Sequence, residues 1–300
     1  MTQEIPMNAT QNGIVVGVDG SPAARVAVDW AAREASARQV PLTLIHVIPW
    51  ASLGMWPELP MPADLVTQFN GQGRDILGTA RQTAMDAIKN SHPIQISTEL
   101  ITDGVVSTLV EWSKGADLVV VGCRGLGALS RRLLGSVSWG LIHHSHCPVA
   151  VIHDEDPLMP TPAMAPVVVG IDGSQASEKA TEIAFEQAAR RGVDLVAVHA
   201  WSDFAVNDFP GITWSDLEKQ AEEALAERLA GWQERCPDVT VRRVVVMDRP
   251  ARQLLKQSES AQLTVVGSHG RGGFAGMLLG SVSAAVAESA RMPVIVARPS

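Results

Sequence analysis

The sequence predicts an α/β fold that is built twice in one chain, with five strands in each half and helices between them. A valine-rich strand with the same ending opens each half, IVVGVDGS at 14–21 and VVVGIDGS at 167–174. A glycine-rich loop follows a later run of valines in each half, GCRGLGALSRRLLGS at 122–136 and GSHGRGGFAGMLLGS at 267–281. The other segments alternate short apolar strands with amphipathic helices, which is typical of open parallel sheets with helices on both faces.

The spacing between matching segments changes once along the chain. Asp19 and Asp172 are 172 − 19 = 153 positions apart, whereas Gly122 and Gly267 are 267 − 122 = 145 positions apart. The first half therefore has eight additional residues between its second and third strands, and the proline-rich stretch at 50–62 is the expected place for them. We predict a first domain at 11–153, a semi-rigid extended linker with four prolines at 154–166, and a second domain at 167–298.

Apolar spacing predicts five pairs of elements, with one member of each pair in each half. A period near 3.6 predicts helices, and short runs that are apolar on both faces predict buried parallel strands. In chain order, the pairs are helices at 22–38 and 174–191, strands at 42–47 and 195–200, long helices at 64–90 and 214–236, strands at 117–121 and 263–266, and last strands at 149–152 and 294–296.

Composition excludes several classes of protein. A hydrophobic fraction of 46% and a charged fraction of 19% indicate a globular protein, and a net charge of −8 argues against general nucleic-acid binding. No apolar run approaches the roughly 18 residues of a membrane helix, and the N-terminus has no secretory pattern. The three cysteines are odd in number and suit a reducing compartment. We therefore expect a cytoplasmic protein that does not bind membranes.

Each glycine loop combines two elements that bind anions. Glycines directly after a strand let backbone N–H groups approach an anion closely. Gly135-Ser136 and Gly280-Ser281 then open a helix, whose free N–H groups and partial positive charge favour negative ligands. For one loop alone, tight turns and helix capping explain the residues equally well. The same spacing in both halves, each with an aspartate at the end of the first strand, favours a polyphosphate ligand.

These segments resemble the universal stress protein family, in particular its tandem-domain actinobacterial type. Nucleotide-binding members carry G-x-x-G, nine residues and then G-[S/T] after the fourth strand, and both halves match this pattern in full. The resemblance covers nearly the whole chain except the first dozen residues and the linker. It implies a parallel sheet of order 3-2-1-4-5 in each domain, with strands one and four adjacent, and it implies ATP as the ligand.

The resemblance also assigns roles by position. It implies that Asp19 and Asp172 contact the nucleoside end and that Val47 and Ala200 offer backbone groups to adenine. The residues implied around the ribose and phosphates are Gly122, Gly125, Gly135, Ser136 and Val137 in the first half, and Gly267, Gly270, Gly280, Ser281 and Val282 in the second. The small departures from the family pattern are Ala200, where a branched residue is more usual, and Arg124, where the second half has a histidine.

The family implies an ATP-dependent regulator of stress and dormancy responses, hypoxia and growth arrest among them, without efficient catalysis. The chain contains no G-x-x-x-x-G-K-[S/T], and no carboxylate pair is suited to two metal ions. One alternative is a slow ATPase or adenylyl-transferring enzyme of the same nucleotide-binding class, although its S-G-G-x-D-S and H-I-G-H signatures are absent. Another is a module that binds cyclic AMP, or a scaffold that has lost its nucleotide.

The roles of several polar residues are each open to two interpretations. Asp19 and Asp172 suit either Mg²⁺ beside a phosphate or a hydrogen bond to a ribose hydroxyl or an adenine amine. His46 and His199 end the second strands, where packing or a backbone hydrogen bond is expected more than catalysis.

A run of histidines at 143, 144 and 146 lies beside Cys147 and has the composition of a metal site. The second half lacks counterparts, and adjacent histidines at a helix end more often interact with the carbonyl dipole, so no metal site is predicted.

The last strand of each half is expected at the edge of its sheet, where it needs a partner. The resemblance implies that such edges meet across a pseudo-twofold axis. One chain would then form an internal pseudo-dimer of its two domains, and two chains would pair as a homodimer.

Overall fold

The computed structural model describes residues 13–49, 63–125, 134–153, 162–201, 214–270 and 279–299. The contacts divide the chain into two compact units. The first unit contains β1 (Ile14–Gly17), α1 (Pro22–Arg38), β2 (Leu42–Pro49), α2 (Ala63–Ala87), β3 (Ile96–Asp103), α3 (Val105–Trp112), β4 (Leu118–Gly122) and α4 (Ser136–His144).

The second unit begins at Val149 and also takes in the residues directly before α4. Its elements are β5 (Val149–Ile152), a 3₁₀ turn (Pro162–Met164), β6 (Val167–Gly170), α5 (Gln175–Arg191), β7 (Leu195–Trp201), α6 (Trp214–Arg235), β8 (Val241–Met247), α7 (Pro250–Ser258), β9 (Leu263–Gly267), α8 (Ser281–Ser289) and β10 (Val294–Ala297). Of the described helices, none is both long and apolar enough to cross a membrane.

Both units contain a parallel sheet in which the strand order reverses beside the first strand. In the first unit β1 pairs with β2 and β4, and β2 pairs with β3, all in parallel. In the second unit β6 pairs with β7 and β9, β7 with β8, and β9 with β10. The order β8-β7-β6-β9-β10 is 3-2-1-4-5 in the numbering of that half. The predicted α/β class is confirmed.

The last strand of the first sequence half lies in the second unit. β5 runs antiparallel to β10, with Val151 opposite Val294 and Val149 opposite Val296. The four residues of each strand are buried. This pairing supplies a partner for the edge of β10, and the two compact units divide at residue 148.

The first helix of each unit lies close to its sheet because the residues facing the strands are alanines. Ala27, Ala31 and Ala35 are fully buried on α1, and the equivalent alanines at 180, 184 and 188 are fully buried on α5. Ser21 and Ser174 cap these helices by accepting hydrogen bonds from the backbone N–H groups of residues 24 and 177. Both helices end in a left-handed residue, at positions 39 and 192.

The long second helices agree with the sequence prediction, since α2 and α6 cover nearly all of the predicted ranges. The proline-rich stretch at 50–62 lies outside the described residues. In the predicted linker, residues 154–161 also lie outside them. Pro162–Met164 forms a 3₁₀ turn instead of the extended chain that was expected there.

Candidate functional site

The turn after the first strand holds an aspartate in the same way in both units. The backbone N–H of Ser21 donates to Oδ1 of Asp19 at 3.0 Å, and that of Ser174 donates to Oδ1 of Asp172 at 2.9 Å. The intervening glycines have φ of 84° and 78°. Such a positive φ favours glycine. A hydrogen bond from the N–H group two residues later to the aspartate side chain defines an Asx turn. Each carboxylate is half-buried and fixed by its own backbone.

The second oxygen of each aspartate faces the glycine loop. A Cβ added to Gly125 would collide with Oδ2 of Asp19, and one added to Gly270 would collide with Oδ2 of Asp172. Any side chain at these positions would therefore displace the carboxylate. The fold thus brings together the predicted aspartate and the second loop glycine of each half, at the carboxyl ends of two adjacent parallel strands.

The first loop glycine has a packing role. A Cβ on Gly122 would lie 2.8 Å from the carbonyl carbon of Ala23, and one on Gly267 would lie 2.7 Å from that of Ala176. The start of α1 or α5 can approach the neighbouring strand only because no side chain intervenes. This contact explains these glycines without a ligand, so their predicted contact with phosphate stays a prediction.

The second half shows how its loop closes. The N–H of Gly280 donates to the carbonyl oxygen of Ser268 at 2.7 Å, and a Cβ on Gly280 would lie 3.3 Å from Cα of His269. The hydroxyl of Ser174 donates to the carbonyl of His269 at 3.2 Å and so links the aspartate turn to the loop. The two ends of the loop therefore meet beside Asp172.

The helix after each loop begins at the predicted serine. Gly280 is the N-cap residue of α8 and provides no side-chain cap, so the exposed Ser281 hydroxyl is not used for capping. Ser136 is likewise exposed at the start of α4, directly after Gly135. The residues that follow these serines, Val137 and Val282, are half-buried. The loop centres, 126–133 and 271–278, lie outside the described residues.

Two serines outside the predicted site residues anchor these helices. Ser138 donates its hydroxyl hydrogen to the carbonyl of Gly122, and Ser283 donates to that of Gly267. Both serines are buried. The signal was present in the sequence, because G-S-V-S occurs in both loops. These bonds tie the first turn of the helix to the end of the strand and thus fix the helix start relative to the aspartate.

The histidines at the ends of the second strands make backbone hydrogen bonds, as expected. Nδ1 of His46 lies 2.7 Å from the carbonyl oxygen of Val18, and Nδ1 of His199 lies 2.6 Å from that of Ile171. Because a carbonyl only accepts, Nδ1 carries the hydrogen. Each ring therefore holds the peptide group that immediately precedes the site aspartate.

Val47 and Ala200 directly follow these histidines near the ends of β2 and β7. Val47 is buried and pairs with Ile101, and the half-buried Ala200 pairs with Val246. Within the described residues, no backbone hydrogen bond joins either residue to the loop glycines. Their predicted backbone contact with adenine is therefore not tested by the geometry.

The histidine run at the end of α4 does not form a cluster. Nδ1 of His143 contacts the carbonyl oxygen of Trp139 at 2.8 Å, one turn earlier. Burial raises the pKa of the Cys147 thiol to about 11, which disfavours the thiolate that a metal ion binds. Among the described residues, no group of three His, Cys, Asp or Glu side chains is placed to hold a metal ion.

Comparison with known proteins agrees with the repeated architecture. The model of the universal stress protein family matches residues 12–153 and again residues 164–298. Universal stress protein Rv2623 of Mycobacterium tuberculosis is 55% identical over 288 residues, which cover 96% of this chain and 97% of that protein. A universal stress protein of Mycolicibacterium smegmatis is 50% identical over 294 residues, which cover 97% and 99%.

Among solved structures, a universal stress protein from Archaeoglobus fulgidus superimposes with a TM-score of 0.70 over 96% of both chains. Its sequence identity of 22% supports a shared fold only. The sequence matches extend over both halves and include both glycine loops. The chain belongs to the universal stress protein family.

Proposed function

We propose that this chain binds ATP at one site in each half and acts as a nucleotide-dependent regulator of stress and dormancy responses in the cytoplasm, without efficient catalysis. The observation that carries the proposal is the repeated contact between the aspartate and the glycine loop. In both halves one carboxylate oxygen is held by the turn and the other faces Gly125 or Gly270. Two copies of one geometry at a strand-order reversal indicate a selected binding site.

The residues fit a nucleotide on three grounds. The glycines provide backbone N–H groups that no side chain covers, which suits an anion. Ser136 and Ser281 are exposed at the start of helices whose free N–H groups attract negative charge. Asp19 and Asp172 provide carboxylate acceptors for hydroxyl or amine groups of the nucleoside. When bound, ATP would bring a charged phosphate chain and an adenine base to this edge, and the loops would hold the phosphates.

Regulation is favoured over turnover because the described site contains no base held against a reacting group. Asp19 and Asp172 lie in different halves, and the carboxylate of each accepts a hydrogen bond from its own turn. Binding, release and partner recognition would then carry the signal. The domain limits at 11–153 and 167–298, the internal pseudo-dimer and the homodimer belong to the same proposal.

The decisive experiment identifies the nucleotide. We expect protein purified without added nucleotide to release ATP on denaturation, or to bind about two ATP per chain in a titration. Gly125→Ala and Gly270→Ala should each remove about one site, because a Cβ there collides with the aspartate. Gly78→Ala and Gly231→Ala are matched controls on α2 and α6, where an added Cβ meets nothing within 4 Å.

Other outcomes separate the alternatives. Protein that neither contains nor binds ATP contradicts the proposal. Tighter binding of cyclic AMP than of ATP in direct competition would favour the cyclic nucleotide module. Hydrolysis well above the background rate, lost in the same glycine variants, would favour an enzyme.

A further inference from the structure

The first unit has a pocket beside the aspartate turn. It lies between α1 and α2 and has a volume of about 250 Å³. Val18, Gly20 and Ser21, which flank Asp19, form the wall nearest the site. Apolar side chains of the two helices share the remainder with polar ones, the exposed Asp75 among them, and Arg25 stands at its exposed rim. The pocket therefore lies beside the candidate site, on the side of the Asp19 turn that faces α2.

In the second unit an arginine takes this place. The guanidinium of Arg228, on α6, lies directly against Gly173. Gly173 is the equivalent of Gly20, at the offset 173 − 20 = 153 and with the same positive φ. Nη1 of Arg228 is buried and has no hydrogen-bond partner among the described residues. Packing against Gly173 places the guanidinium beside the Asp172 turn.

The first half has Thr83 at the position of Arg228, since 228 − 83 = 145. The same offset matches two pairs of buried residues on the same helices, Ala80 with Leu225 and Ala84 with Leu229. Thr83 lines the pocket of the first unit. The open pocket and the arginine thus occupy equivalent places in the two halves.

At a second position on these helices the larger side chain is in the first half, whereas at the Thr83/Arg228 position it is in the second half. In the first unit Ile76 covers the turn, with Cγ1 3.2 Å from the place of a Cβ on Gly20. The equivalent residue in the second half is Ala221, since 221 − 76 = 145. In the first half the large Ile76 accompanies the small Thr83. In the second half the small Ala221 accompanies the large Arg228. The exchange makes room for the arginine in the second unit only.

We propose that this exchange makes the two sites differ in selectivity: the first half accepts a nucleotide that carries an additional uncharged, ring-sized group at its nucleoside end, and Arg228 excludes that group from the second half. The inference rests on the proposed function. An entering ring would have to displace the guanidinium, because this group already fills the space against Gly173. The exclusion is therefore steric.

The test compares ATP with ATP that carries a benzyl group at base N6, base C8 or the ribose 2′/3′ oxygen. Binding stoichiometry and affinity are measured for each compound by calorimetry or native mass spectrometry. For the unmodified protein we expect about two ATP per chain, and at least one benzyl compound that binds to about one site per chain. The affinity of that compound, relative to ATP, should differ about tenfold or more between the two sites.

Exchange variants assign the effect to named residues. Arg228→Thr combined with Ala221→Ile gives the second half the residues of the first, and it should bring the benzyl compound to two sites. Thr83→Arg combined with Ile76→Ala should remove it from the first half. Lys219→Thr removes an exposed positive charge from α6 and serves as the matched control. The readout is the ratio of benzyl compound to ATP, so a general change in nucleotide affinity cancels.

The outcomes distinguish failure of this inference from failure of the proposed function. A ratio that is the same in both halves, or that the exchanges leave unchanged while ATP still binds, overturns this inference and leaves the proposed function intact. Absence of ATP binding to the unmodified protein overturns the proposed function itself. If a double variant does not fold by circular dichroism, Arg228→Ala alone is decisive, because it also removes the guanidinium from Gly173.

Discussion

The two halves share the backbone geometry of the aspartate turn and differ at the opposite end of their sheets. In the first unit Arg38 forms an ion pair with the buried Glu34 at 2.5 Å, near Asp117. The second half has Arg191 bonded to Gln187 at 3.0 Å and to a glutamine at 262, so neutral amides replace both carboxylates.

This difference shows which contacts the fold requires. The arginine and its hydrogen bond recur, but the negative charge does not. At the turn, by contrast, the charged aspartate recurs together with both glycines. A carboxylate that only supports packing can be replaced by an amide of similar shape, whereas the repeated aspartate indicates a need for its charge. The predictions below would break or sharpen this distinction.

The largest effect is expected from neutralising the site aspartates. Asp19→Asn and Asp172→Asn keep an oxygen that can accept from the Ser21 or Ser174 N–H, so the turn is retained. Loss of a hydrogen bond to a charged group costs about 1.5–3 kcal/mol, which is about tenfold to hundredfold in ATP affinity at the affected site. Titration should show one weakened site per variant and two in the double variant. Unchanged affinity in both would contradict a role for the carboxylate charge.

Alanine at the first loop glycine should destabilise either half. The added Cβ of Gly122→Ala or Gly267→Ala would lie within 3 Å of helix backbone at Ala23 or Ala176. Backbone cannot rotate away as a side chain can, so we expect a loss of about 1–3 kcal/mol in the free energy of unfolding. Urea denaturation measures this loss, with Gly78→Ala as the control. A stable Gly122→Ala beside an unstable Gly267→Ala would show that the two helix contacts are not equivalent.

The sequence predicted the features that depend on short-range pattern. The strand ends, the starts of α1 and α5 and the two glycine loops were visible because each motif is contiguous and occurs twice. The proximity of Asp19 to Gly125 was also predictable, since the ends of adjacent parallel strands meet at one edge of the sheet.

The missed features depend on contacts between distant segments. Ser138 reaches Gly122 across 16 positions and a loop, and Arg228 reaches Gly173 from a helix 55 positions away. A serine near a helix start or an arginine on a polar helix face carries no signal of its partner.

A smaller effect is expected from the histidines that hold the peptide before the aspartate. Asn places its amide nitrogen near the position of Nδ1, whereas Gln places it near Nε2. His46→Asn should therefore keep the bond to the carbonyl of Val18, and His46→Gln should lose it, at a cost of about 1 kcal/mol in the free energy of unfolding. We expect the same order for His199, with ATP affinity falling in the Gln variants. Equal behaviour of Asn and Gln would show that the ring acts through packing alone.

The smallest effect concerns Asp117, whose counterpart in the second half is neutral. Burial raises the pKa of its carboxyl above the ordinary value of 3.8, and the charge of Arg38 partly opposes this shift. The folded state therefore binds this proton more tightly than the unfolded chain. Its contribution to stability grows as pH falls through the folded pKa and is complete below the unfolded value. At higher pH the ionised group imposes a constant penalty.

Asp117→Asn removes this titration and resembles the amide arrangement of the second half. The variant should be more stable than the unmodified protein at neutral pH, and the difference should shrink as the pH approaches 3.8. Urea denaturation at several pH values measures both curves. The reverse change, Gln262→Glu, should create a pH dependence of the same sign if burial dominates there too. A variant less stable at neutral pH would mean that the attraction to Arg38 outweighs burial, so that the charges of the first half are needed for its stability.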